Sequence, residues 1–246
     1  MALARQNDTA APALLPLYAQ VKALLVARIQ SGDWKPGQLI PNEFALAHEL
    51  GVSQGTVRKA LGEMTAEQLL VRRQGRGTFV QRHTPESMLF RFFNFHDAAG
   101  QQIAPETLWV KARKGAAKPA ERMRLELEAG REVVRITRVR GHRGRPFDHE
   151  QIVVPQALFP GLADASEIPN TLYDHFQQVY GVTATGGEER LDTIAAESRE
   201  AGWLEVAVGT PLLRLDRTMF SFDEKPIEWR LSLCALGDAH YMVRLG

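Results

Sequence analysis

Residues 40–80, IPNEFALAHELGVSQGTVRKALGEMTAEQLLVRRQGRGTFV, decide how the chain is read. They predict two short helices and a hairpin. Asn42 is suited to cap a first helix in which Phe44, Ala47 and Leu50 recur on one face, and Gly51 is suited to end it. Ser53 caps a second helix. There Val57, Leu61 and Met64 return at helical spacing and must turn inward, so Gln54, Gly55, Arg58 and Lys59 turn outward. After Leu69, Leu70 and Val71, the pair Arg72-Arg73, the turn Gln74-Gly75-Arg76-Gly77 and the strand Thr78-Phe79-Val80 make a basic hairpin. Such a set can grip a duplex. The second helix fits the major groove, and the wing lies along phosphates or reaches the minor groove.

This region resembles the GntR family of bacterial winged helix-turn-helix regulators. The match is carried by Lys35-Pro36-Gly37, Ile40-Pro41, Leu50-Gly51-Val52-Ser53, Thr56-Val57-Arg58-Lys59-Ala60-Leu61 and Gln74-Gly75-Arg76-Gly77-Thr78-Phe79-Val80. So many fixed spacings within one domain make a strong signal. With the outward reading of the helix and wing, the resemblance implies DNA contacts from Asn42, Ser53, Gln54, Gly55, Thr56, Arg58, Lys59, Arg73, Gly75, Arg76 and Gly77. Family members commonly carry arginine where Phe44 and Gln54 stand and a small hydroxyl residue where Gly55 stands. The usual base contacts therefore do not carry over to those positions.

At 246 residues, 44% hydrophobic and 24% charged, the chain has room for two cores and has no apolar run long enough to span a bilayer. No secretory signal is expected in residues 1–14, and a single cysteine, Cys234, excludes an intrachain disulfide and fits a reducing cytoplasm. The net charge of +1 is unevenly divided. Residues 1–82 carry ten Lys and Arg against six Asp and Glu, whereas residues 83–246 carry twenty against twenty-three. The basic end is the helix-turn-helix end, as a phosphate-binding surface requires.

In chain order, residues 1–13 read as a flexible tail and residues 14–82 as the DNA-binding domain. Tyr18, Val21, Leu25 and Ile29 form one stripe of a leading helix, with Gly32 as its stop. Pro85 breaks periodicity and marks a linker at 83–90. Residues 91–246 form the second domain, which contains an internal echo. Leu125, Gly130, Val133, Val134, Arg135, Ile136 and Arg138 recur as Leu204, Gly209, Leu212, Leu213, Arg214, Leu215 and Arg217, in register at one constant offset. Each copy reads as a helix ending in glycine, a strand, a turn with proline and a strand bearing a glutamate, Glu150 or Glu228. Two helix-and-hairpin units then share one mostly antiparallel sheet, with a helix over residues 170–180 on a face. The fold class is α+β.

Strand periodicity puts Arg138 and Arg140 on the face begun by Val134 and Ile136, and Glu150 on the face of Ile152 and Val154. Charges on an inward face need partners. Either a cavity for an anionic ligand or a structural Arg-Glu pair across the hairpin supplies them. The pattern Arg143-x-x-Pro146-Phe147-Asp148-His149-Glu150, with Thr171-Leu172-Tyr173 and residues 209–217, resembles the UTRA effector-binding domain of the HutC branch of the GntR family, related in fold to chorismate lyase. That resemblance implies an effector site lined by Arg138, Arg140, Glu150, Thr171, Tyr173 and Glu228, with Asn94 on the first strand. One winged helix offers too little specific surface to pick out an operator, so a homodimer on a pseudo-palindromic site is expected, with a small anionic metabolite held by Arg138 and Arg140 controlling affinity.

The histidines show no metal-ligand spacing, no serine stands in a nucleophile motif, and no cofactor cradle is present, so neither catalytic nor metal residues are assigned. A chorismate-lyase-like enzyme would not need the N-terminal domain, and an effector-independent DNA-binding protein would not need inward arginines. The expectation is a transcriptional repressor.

Overall fold

The computed structural model describes residues 16–67, 69–81, 93–165 and 167–243. The chain divides into two compact units, Met1–Arg82 and His83–Gly246. The expected tail at 1–13 and linker at 83–90 lie outside the described residues.

In the first unit α1 (Leu17–Gln30) buries Val21, Leu25 and Val26. Helix α2 (Glu43–Leu50) starts where Asn42 Oδ1 accepts the Ala45 N–H at 2.9 Å, and ends at Gly51, whose φ of 64° is left-handed. Helix α3 (Gln54–Ala66) starts where Ser53 Oγ accepts the Thr56 N–H at 3.2 Å, and it buries Val57, Ala60, Leu61 and Met64. Strands β1 (Leu70–Arg73) and β2 (Gly77–Val80) pair antiparallel from Leu70↔Val80 to Arg73↔Gly77. One expectation is corrected here. Phe44 does not face the core with Ala47: it is 71% exposed, and the buried residue of α2 is Leu46. At 3.6 residues per turn, two positions are about 200° around the helix, so burying Leu46 points Phe44 to solvent.

The second unit is built on one antiparallel sheet of order β4-β5-β6-β9-β8-β7. Its strands are β4 (Glu106–Ala116), β5 (Glu132–His142), β6 (Arg145–Pro155), β7 (Gly186–Ala195), β8 (Pro211–Phe220) and β9 (Pro226–Cys234). Helix α4 (Pro119–Arg124) joins β4 to β5, and α6 (Ser198–Leu204) joins β7 to β8. The first half, β4-α4-β5-β6, and the second, β7-α6-β8-β9, thus repeat one unit and meet at the central β6-β9 pair. The helices stop short of the echoed glycines. Gly130 and Gly209, at φ of 81° and 88°, instead take the tight turns that feed β5 and β8.

A further helix, α5 (Leu172–Tyr180), crosses one face of the sheet. It begins two residues later than periodicity suggests, with Thr171 as a cap residue whose side chain makes no capping bond. Leu172, Tyr173 and Phe176 pack on Val134, Ile136, Ile152 and Val154. Beyond the other end of that face, β3 (Phe95–His96) and β10 (His240–Tyr241) pair with each other. Phe93, Phe95 and Phe147 pack there with Leu215 and Cys234. Between these two apolar clusters the same sheet face is charged.

Candidate DNA interface and effector site

On the first unit, capping and packing decide which polar groups remain outward. The side chains of Asn42 and Ser53 accept from their helices' N–H groups, and Thr56 Oγ1 lies 2.8 Å from Ser53 Oγ. Lys59 is exposed, but its ammonium stands 3.7 Å over the Tyr18 ring. Sequence reasoning passes over Glu43, the first residue of α2. Its Oε2 accepts from Arg58 Nε at 2.9 Å and from Gln54 Nε2 at 3.3 Å, and its Oε1 is 3.5 Å from Arg72 Nη2. A single carboxylate therefore ties α2, α3 and the wing together and gathers three donors on one surface. Such an exposed network orients side chains more than it stabilises the fold, since each surface pair is worth at most about 1 kcal/mol.

At the wing Arg73 lies 4.9 Å over the Phe79 ring, while Gly75 and Arg76 are exposed at the tip. Gly77 has a φ of 106°, and an added Cβ would come within 2.7 Å of Leu39 Cδ1, so only glycine closes this turn comfortably. Gln54, Arg58, Arg72 and Arg76 are the groups this geometry offers to phosphate or base edges.

On the second unit the sheet register assembles the charges. Arg138 pairs with Glu150, Glu150 with Ser232, and Arg217 with both Glu189 and Arg230 across neighbouring strands, so all share one face. Arg138, Arg140, Asp148, Glu150, Glu228 and Arg230 are buried. Arg138 Nε donates to Glu150, and its Nη1 donates to the Asn170 carbonyl at 3.0 Å. Glu150 also accepts from Arg230 Nη1 at 2.7 Å. Arg230 in turn donates to both oxygens of Glu228, at 3.0 and 2.9 Å, and Tyr173 Oη donates to Glu228 at 2.6 Å. Although Glu228 shares its strand with polar neighbours, it is fully buried rather than wet.

Arg140 is served differently. Its Nη2 reaches the Pro105 carbonyl and Asn170 Oδ1 only at 3.4 Å, its Nη1 lies 3.8 Å from Glu150, and its guanidinium stands 4.9 Å over the Phe93 ring. Its Nε is buried without a hydrogen-bond partner. Burial, reinforced by Arg138, pulls its pKa down to about 9 despite Glu150 and Asp148 nearby. Burial would raise Glu150, but Arg138, Arg230 and Arg140 hold it well below the usual carboxylate range. Asp148 lacks such forks and is pushed up to about 7 by burial and by the Glu150 charge.

The sequence-derived residues are thus partly brought together. Arg138, Arg140, Glu150, Tyr173 and Glu228 form one cluster. Thr171 is half-buried at the start of α5, and Asn94 donates to Tyr241 Oη at 3.4 Å at the far rim. Missed from the sequence are Asp148, Asn170, Glu189, Arg217, Arg230 and Tyr241. Two had a legible signal: Arg217 is the echo of Arg138, and Arg230 shares a strand face with Glu228. Asn170 had none, because it holds the arginines through its carbonyl and Oδ1 from a loop.

The cavity among Phe93, Phe95, Asp148, Glu150, Arg217 and Arg230 has a volume of about 10 Å³, room for a single water. The charges fill their own site. Among the described residues no cluster of three metal-ligating side chains is found, and no helix is long and apolar enough to cross a membrane.

Comparison with known proteins places these surfaces in a context. Residues 17–80 match the bacterial regulatory proteins of the gntR family, and residues 100–239 match the UTRA domain. The histidine utilization repressor of Pseudomonas putida is 33% identical over 209 residues, 84% of this chain and 83% of its own. The transcriptional repressor NagR of Bacillus subtilis is 29% identical over 94% of this chain and 96% of its own. Among solved structures, the ligand-binding domain of a GntR-family regulator from Bordetella bronchiseptica superposes with a TM-score of 0.59 at 29% identity, over 63% of this chain and 98% of that one.

Proposed function

Because the chain belongs to the GntR family and carries its UTRA domain, it is a DNA-binding transcriptional repressor and not an enzyme, and we propose that a small anionic metabolite seated at Arg140 sets its operator affinity. The carrying observation is the state of Arg140: a buried guanidinium with an unpaired Nε and only long hydrogen bonds lacks the oxyanion that a forked donor suits. Arg138 and Glu150 flank the same position. Glu150, Glu228 and Tyr173 supply acceptors and a hydroxyl for the rest of the ligand, with Thr171 and Asn94 nearer its rim.

The neighbouring cavity at Glu150 and Arg230, of about 10 Å³, cannot hold a metabolite as it stands, so binding at Arg140 exchanges part of the Arg-Glu network for ligand contacts. The ligand then favours an opened arrangement of the second unit, and it shifts DNA affinity only as far as that arrangement differs in its fit to the operator. The names of relatives such as the histidine utilization repressor favour control of genes that consume a small nutrient, with that nutrient or its product as the effector. In a cytoplasmic setting such a chain answers to the metabolite pool directly.

Screening the full chain by thermal shift against small phosphates and carboxylates, followed by titration calorimetry of the best compound, tests the reading. Arg140→Gln is expected to weaken that compound at least about tenfold, the scale of one charge-assisted hydrogen bond, while operator affinity without ligand is unchanged. Equal affinities in wild type and variant would assign Arg140 to structure alone.

Dimerisation belongs to the same proposal. One winged helix offers too little specific surface to select an operator, and two heads on symmetric half-sites supply the rest. Light scattering at micromolar concentration is expected to give twice the chain mass. A monomer with and without DNA would remove the pseudo-palindromic operator.

A further inference from the structure

Phe44 is the feature that the functional reading leaves unused. Among the described residues no other Phe or Trp is as exposed, at 71%, and it stands on the first turn of α2. Burial of Leu46 fixes its direction away from the core. Its neighbour Glu43 touches Gln54 and Arg58, so the first turn of α2, which carries the ring, lies against the first turns of α3, the helix proposed to enter the groove. At Gly55, on that turn, an added Cβ would meet nothing closer than Ser53 Oγ at 3.8 Å. No packing demand of the protein excludes a side chain there.

The polar side chains on this surface, Gln54 and Arg58, are gathered by Glu43. The ring has no such partner to satisfy and gains only by covering an apolar group. In the major groove of DNA the apolar group on a base edge is the 5-methyl of thymine. We propose that Phe44 is a specificity-determining residue of the repressor, packing on a thymine methyl in each operator half-site. The proposal rests on the DNA-binding function and names a base contact within it.

The test selects duplexes from a random-sequence pool with wild type and with Phe44→Ala, then replaces each thymidine of the wild-type consensus in turn by deoxyuridine. Replacement at one position per half-site is expected to weaken wild type by about fourfold, the effect of burying one methyl-sized group, and to leave Phe44→Ala indifferent. The Phe44→Ala selection loses its thymine preference at that position. Unchanged thermal unfolding of Phe44→Ala confirms that only the surface was altered. If Phe44→Ala binds every duplex more weakly yet no thymine is methyl-sensitive, the ring rests on sugar and backbone and the proposal fails. It fails equally if both proteins select the same consensus with the same affinity. A wild-type selection without any enriched sequence would instead overturn sequence-specific DNA binding, and this contact with it.

Discussion

The double substitution Arg58→Ala, Arg76→Ala is expected to abolish specific operator binding while leaving the protein folded. The Arg58 side chain is 61% exposed and its ion pair with Glu43 joins surface groups, so its loss costs the fold less than about 1 kcal/mol. Arg76 stands exposed at the wing tip. At the DNA each contact is worth about 1–3 kcal/mol, and the two heads of the proposed dimer double it, so affinity should fall at least about a hundredfold. Removing Arg58 also leaves the Glu43 carboxylate without its nearest countercharge on the surface proposed to approach phosphates. Gel-shift titration across salt concentrations reads both effects. If Arg58 contacts phosphate, the slope of log affinity against log salt drops by about one unit per lost contact. Undiminished binding by the double variant would remove α3 and the wing from the interface.

Glu150→Gln is expected to destabilise the second unit by about 3–5 kcal/mol, the usual consequence of deleting one partner of a buried ion pair. Glu150 stands among Arg138, Arg230 and Arg140, and glutamine leaves their charges buried with too few counterions. Removing Arg138 and Glu150 together, as Arg138→Gln, Glu150→Gln, should cost less than Glu150→Gln alone. Chemical denaturation with a probe in the second unit measures this, since the two units need not unfold as one. A wild-type midpoint for Glu150→Gln would make the pair dispensable.

The pH dependence follows from signs. Glu150 is depressed in the fold, so its stabilisation is full above the unfolded carboxyl pKa of about 4.3 and is lost as pH falls below it. Asp148, raised to about 7, contributes stability that is full below about 3.9 and is lost as pH rises through 7. Its neighbour His149 points to the other face, stacked 3.7 Å from Trp203. Burial, with Arg199 nearby, lowers it to about 4, so its contribution is full above about 6.5 and is lost on acidification. Asp148 and His149 oppose each other in this window. In Asp148→Asn, therefore, stability should fall more steeply than in wild type between about pH 6.5 and 4.

Local chemistry was enough to read the first unit. Asn42 and Ser53 as caps, Gly51 in the left-handed region, the spacing of Val57, Leu61 and Met64, and the wing turn at Gly75 and Gly77 are set by groups within a few residues of each other. The same reasoning misplaced Phe44, because Phe44-Ala47 and Leu46-Leu50 both fit a short helix and only the packing of three helices chooses between them. In the second unit alternation and the internal echo located the sheet, the repeated unit and the inward arginines. Whether those arginines met a protein carboxylate or an open cavity depended on the β5-β6 and β6-β9 registers, which bring Arg138 to Glu150 and join Glu150 to Arg230, 80 positions further along the chain. Alternation states which face a charge takes and nothing about its neighbours across strands. Tertiary structure alone decided that Arg138 is satisfied by Glu150 and Asn170 while Arg140 is left short, because hydrogen-bond partners are fixed by distances between strands and loops that no local pattern encodes.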